Sequence, residues 1–152
     1  MPMPWTYRHS EKEFKAFLAD VKERTGLSSD NMAYTAVDGV LQVFRRRLTP
    51  AQGIAFADLL PSTLRAIFVA GWEVDAPPLP FAPRADLVAE AKALRKDHNL
   101  TPDDIIEATA YALRRSLRQQ DLDRVLARIG PNAEAFWHVE VSDPAELAQR
   151  II

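Results

Sequence analysis

Arginine is the residue type best placed to do chemistry in this chain. Arg45, Arg46 and Arg47 stand together, Arg114, Arg115 and Arg118 form a second group, and Arg65 and Arg128 follow in the next segment of each. A guanidinium presents a planar fork of donors that matches a phosphate or carboxylate, so such a ridge can hold an anionic ligand or partner. Arg45, Arg47 and Arg65 are the expected anion or partner surface, because a turn at Leu60-Pro61 would carry Arg65 back toward the end of the helix bearing the other two. The same cations would also complement the carbonyl end of a helix and cover apolar surface with their stems.

The remaining reactive types are sparse. His9, His98 and His138 are the only imidazoles, and none stands three or four residues from another, so no helix carries a pair of metal ligands. Asp103 and Glu107 share a helix face, but acids collect in the first turn of a helix for capping and dipole reasons. Five unclustered glycines exclude a phosphate-cradling loop, no Gly-x-Ser-x-Gly is present, and the absence of cysteine removes thiolate chemistry and disulfides. No catalytic, cofactor-binding or metal residue is therefore assigned, and the balance leans away from an enzyme. Trp5, Trp72 and Trp137 complete the singular residues. Trp72 and Trp137 are expected to plug equivalent ends of a shared core with their indole nitrogens hydrogen-bonded, and Trp5, in a proline-spaced arm, is the expected partner anchor.

The elements that must position these residues are helices. Phe14, Leu18 and Val21 lie on one face behind a capping box at Ser10-Glu11-Lys12-Glu13, and Gly26 supplies the left-handed stop. A second helix begins near Ser28 or Ser29, carries Ala36, Val37, Val40, Leu41 and Phe44, and closes on the arginines; a third starts at Thr49-Pro50-Ala51-Gln52 and ends at Pro61. A short fourth runs through Leu64, Ile67 and Phe68 to Gly71. Residues 73–83 hold Pro77, Pro78, Pro80 and Pro83, which forbids helix and marks a connector. Beyond it, Leu87, Ala91 and Leu94 predict a helix stopping at Asn99, Thr101-Pro102 caps the next, and Leu122, Val125, Leu126 and Ile129 fill a shorter one. Residues 14–48 fall on residues 87–121 at an offset of 73, apolar on apolar, which pairs Arg45 with Arg118.

The fold class read from these signals is all-α: two tandem pseudo-repeats of three to four short helices packed into one bundle-like domain. The boundaries are an N-terminal arm at 1–9, a first repeat at 10–72, the proline-rich connector at 73–83, and a second repeat at 84–152 with a short C-terminal helix after Asp143.

The motif Phe14-x-x-Phe17-Leu18-x-x-Val21-x-x-Arg24-x-Gly26-Leu27, then Phe44-Arg45-x-Arg47-Leu48, Leu60-Pro61-x-x-Leu64-Arg65 and Gly71-Trp72, resembles the bacterial family known as domain of unknown function 2267 (DUF2267). The resemblance runs from about Ser10 to Trp137. It implies an all-helical tandem repeat and carries over no activity, cofactor or catalytic residue. The second unit departs from it at Gly130-Pro131, where Leu-Pro stands in the first.

Charge is balanced, at 19 basic against 21 acidic residues and a net charge of -2, so the global field lacks the basic footprint of a nucleic-acid binder. No run of about 18 apolar residues is present, which argues against a membrane span. The expected function is a non-enzymatic interaction or scaffold module in a bacterial cytoplasm, with a protein partner or self-association. The alternative is a small-molecule or anion-binding protein using the groove between the repeats. No cofactor is expected, and neither a membrane nor nucleic acid is favoured as a partner.

Overall fold

Helix follows helix along the chain wherever the cap chemistry allows one to start. The computed structural model describes residues 1–94 and 101–151. In chain order they form α1 Trp5–Arg8, α2 Ser10–Thr25, α3 Asp30–Arg45, α4 Pro50–Ala57, α5 Ser62–Val69, α6 Arg84–Leu94, α7 Ile105–Arg114, α8 Gln119–Ile129, α9 Pro131–Phe136 and a 3-10 helix Pro144–Leu147. No strand occurs among the described residues, and no helix there is long and apolar enough to cross a membrane.

Several boundaries follow directly from side-chain caps. Gly26 ends α2 in the left-handed conformation at φ 79°, Ser29 accepts the Met32 amide at the start of α3, and Thr49 and Gln52 close a reciprocal capping box on α4. Two expected caps do not form. α1 runs to Arg8, the Glu13 amide bonds the His9 carbonyl, and Ser10 becomes the first helical residue of α2 instead of its cap. Thr101-Pro102 precedes a turn, so α7 starts only at Ile105. The stop expected at Asn99 and the imidazole of His98 lie outside the described residues. The 1–9 arm is a docked element: the Ser62 amide bonds the Thr6 hydroxyl at 2.9 Å, the Ser62 hydroxyl bonds the Thr6 carbonyl, and Arg65 donates to the Tyr7 hydroxyl.

Packing interleaves the two ends of the chain. α2 lies on α7 and α6 lies on α3, while α3 also touches α2, α5 and α7, and α4 lies on α8. Gly39 makes the α3–α6 contact possible, since a Cβ there would stand 2.9 Å from the Ala91 carbonyl oxygen. At the centre is an aromatic cluster. Phe44 meets Phe56 at 4.9 Å, Phe136 at 5.0 Å and Trp137 at 5.3 Å, and Trp137 stacks on Phe56 at 5.5 Å. Such ring pairs add attraction beyond the area they bury, so residues from α3, α4 and the end of α9 form one core. Trp137 is fully buried there, but its indole nitrogen has no hydrogen-bond partner, contrary to the sequence reading.

Candidate functional site

Arg45 and Arg47 are turned inward, away from any ligand ridge. Arg45 ends α3 and is 8 % exposed; its guanidinium donates to the Phe68 and Ala70 carbonyls at 2.9 and 2.8 Å, satisfying the orphan acceptors where α5 ends. Desolvation pushes that guanidinium below its usual basicity. Arg47, equally buried, bonds the Val43 and Pro80 carbonyls and both oxygens of Glu90 on α6, at 2.5 and 2.9 Å. The Arg47 fork, opposed in part by burial and helped by the charge of Arg47 and Arg46, holds the Glu90 carboxyl below the ordinary carboxylate range. Arg65 sits half-buried at the other end of α5. It donates to the Ala57, Asp58 and Leu60 carbonyls at and just beyond the end of α4, the first of which also accepts the Leu60 amide.

The three arginines therefore occupy three places. Arg45 lines one cleft with Trp72, Arg65 lines another with Thr6 and Glu13, and Arg47 locks α3 to α6. The position equivalent to Arg45 is Arg114 and not Arg118. Arg114 donates to the Trp137 carbonyl at 2.8 Å just as Arg45 donates to Phe68, a shift of 69 in both members (45 to 114, 68 to 137). Trp137 accordingly takes the place of Phe68, and Trp72 has no such counterpart. Arg118 is exposed, near Gln120 and Asp121.

The surface that stands out was not expected from the arginines. α4 buries Gly53, Phe56 and Ala57 and presents Ala51, Ile54 and Ala55 to solvent, with Ile54 59 % exposed. These positions are i, i+3 and i+4, one face of the helix. The corresponding outer face of α8, shifted by the same 69, is Gln120, Asp123 and Arg124, all exposed. Charge covers one helix and is missing from the other. Trp72 lies on the opposite, inner side of α4: its six-membered ring sits directly over buried Gly53, where a Cβ would fall 2.0 Å from Cη2. The ring is half-buried, 6.1 Å from Phe68 and 5.8 Å from the Arg45 guanidinium.

On its other side Trp72 walls a cleft of about 440 Å³ between the end of α3 and the connector, with Gln42, Arg46, Leu48 and Leu79. The Leu79 amide bonds the Arg46 carbonyl at 2.9 Å and so fixes the connector over α3. Arg46 is the freer cation of its group, its side chain 42 % exposed and 3.4 Å from Glu90.

Trp5, in α1, is 37 % exposed with its ring 4.6 Å from that of His9, and it lines a separate cleft with Glu13, Arg115 and Ser116. His138 lies 3.1 Å from Glu140 at the surface. No group of three metal-ligating side chains occurs among the described residues. The α4 face carried a signal in the sequence, since Pro50–Ala57 contains no charged residue and its one polar side chain, Gln52, is taken up by the capping box, whereas a surface helix usually has a charged or polar outer face.

Residues 14–136 match the model of a family described as an uncharacterized conserved protein, DUF2267. No curated protein matches the chain.

Proposed function

The chain belongs to the DUF2267 family, and from the geometry of its surface we propose that it is a non-enzymatic helical interaction module whose contact face is the outer side of α4. The carrying observation is the exposed apolar row Ala51, Ile54 and Ala55 on α4, against the polar row Gln120, Asp123 and Arg124 on α8. An exposed aliphatic row on an uncharged outer helix face suits a protein interface, which removes such surface from water. The arginines support the reading by their employment elsewhere: Arg45, Arg47 and Arg65 hold the helix ends that give α4 and Trp72 their positions. A bacterial cytoplasmic setting is part of the proposal; a chain without cysteine suits the reducing compartment it names.

A second reading has its own observation. The cleft beside Trp72 offers an indole wall with the Arg46 guanidinium and the Gln42 amide at its rim, the chemistry that would hold a small aromatic or aliphatic carboxylate. The two readings part on one substitution. Chromatography of fresh extract from source cells is expected to show the wild-type protein in an assembly larger than the single chain and Ile54→Glu as a monomer. If Ile54→Glu elutes as the wild type does while Arg46→Gln loses a copurifying carboxylate, the interaction reading is wrong and the cleft is the site.

A further inference from the structure

Two carboxylates lock the interleaved helices, and they are served differently. On α6, Glu90 is met by Arg46 and Arg47, both from the end of α3. On α2, Asp20, 3 % exposed, is met by Arg115 from the end of α7 at 2.6 Å, and a second guanidinium arrives from far along the chain, from Arg150. The register explains why. In the shift of 69 that relates Arg45 to Arg114, Arg46 falls on Arg115 and Arg47 falls on Ser116, so the second arginine is missing from the end of α7 and the C-terminal segment brings a replacement.

That segment is lightly attached. Its polar ties to the helices are the Arg150 amide to the Arg115 carbonyl at 2.7 Å, the Gln119 side chain to the Leu147 carbonyl at 2.8 Å, and the Arg150–Asp20 ion pair. Leu147 is its one buried residue from 142 to 151. Beside it lies a cleft of about 380 Å³ lined by Trp5, Glu13, Arg115, Ser116, Arg150 and Ile151.

We propose that Asp20 and Arg115 form a socket for the arginine side chain of an extended peptide, filled here by Arg150 and open to an arginine from another chain when residues 142–151 lift away. The ligand class is a segment in which arginine is followed by an aliphatic residue, as Arg150 is by Ile151, with Trp5 as the apolar wall. Guanidinium is favoured over ammonium, because one Asp20 oxygen is already held by Arg115 and the other faces a planar donor fork. A buried carboxylate with one partner removed is costly, so the socket exchanges one arginine for another in preference to standing empty.

The test uses the full chain and a fluorescein-labelled peptide of residues 142–151, followed by anisotropy. The wild-type protein, whose socket is filled in cis, is expected to bind the peptide about tenfold or more weakly than Arg150→Ala, because only the fraction with the segment lifted is competent. Asp20→Asn in the Arg150→Ala background is expected to abolish binding, as is alanine at the arginine position of the peptide. If Arg150→Ala does not fold, Arg150→Lys serves in its place, keeping the charge and losing the fork. Equal affinity of wild type and a folded Arg150 variant, no binding to that variant, or binding that survives loss of Asp20 would each overturn the proposal.

Discussion

Replacing Gly53 by alanine tests the seat of Trp72 on the inner side of α4, the packing that leaves Ala51, Ile54 and Ala55 facing outward. The new methyl would stand 2.0 Å from Cη2, 2.5 Å from Cζ3 and 3.1 Å from Cζ2 of that ring. Carbon atoms rest at about 3.5–4.0 Å, so the ring must retreat by about 1.5–2 Å, and a half-buried side chain in the loop after α5 can do so by swinging outward. A tryptophan buries about 200 Å² when fully enclosed. Loss of about half of that, at about 25 cal/mol per Å², costs about 2.5 kcal/mol. Alanine returns about 1 kcal/mol through its better helix propensity. The expected net loss is about 1.5 kcal/mol, or about 3–6 °C in thermal midpoint for a chain of this size. Iodide quenching in a Trp5→Phe background reports the ring itself: Trp72 should become more accessible, while fully buried Trp137 stays protected. A Gly53→Ala protein as stable as the wild type, with unchanged quenching, refutes the placement of Trp72 on α4.

Gly39→Ala should behave differently, because the obstacle is the Ala91 carbonyl at 2.9 Å and backbone cannot swing aside; a loss of about 1–3 kcal/mol by urea unfolding is expected, and a gain would show that α3 and α6 are further apart. Arg45→Gln strips the Phe68 and Ala70 carbonyls of their donor and should cost about 2–4 kcal/mol, read the same way, whereas a change of a few tenths would mean a free surface cation. The lowered carboxyl of Glu90 stabilises the fold above its ordinary value and loses that contribution as the pH falls below it. Urea midpoints between about pH 3 and 6 should therefore fall with acid more steeply in the wild type than in Glu90→Gln. Asp20 acts in the opposite sense. Burial raises its carboxyl despite Arg150 and Arg115, so its contribution is present at acid pH and is lost as the pH rises through its ordinary value of 3.8 toward the raised one. Expressed separately, residues 1–80 and 81–152 should each remain unfolded by circular dichroism, because α2 needs α7 and α6 needs α3; a cooperative transition in either piece would contradict that.

Local chemistry made the helix boundaries legible. Gly26, Ser29, the Thr49–Gln52 box and the proline-rich 73–83 stretch each act within four residues, and each acts where the sequence places it. Ser10 failed because a neighbouring turn competed: α1 leaves His9 to begin α2. The fate of the arginines was hidden for a different reason. A guanidinium that will cap a carbonyl 23 residues away looks the same in sequence as one that will face solvent, and only the fold decides between them. The helical offset of 73 was likewise one turn from the 69 shown by the arginine bonds, a slip that keeps apolar positions on apolar positions because four residues are nearly one turn. The α4 face was in plain view as a helix without charge, but reading it required knowing which side was covered.

Photo-crosslinking from a benzoylphenylalanine placed at Ala55, with the same group at Arg124 as the matched control, tests the central claim most directly, since both positions are exposed on outer helix faces related by the 69-residue shift. The proposed contact face predicts a discrete adduct in cells from position 55 and none from position 124. Equal yields from the two positions, or an adduct from 124 alone, would contradict it.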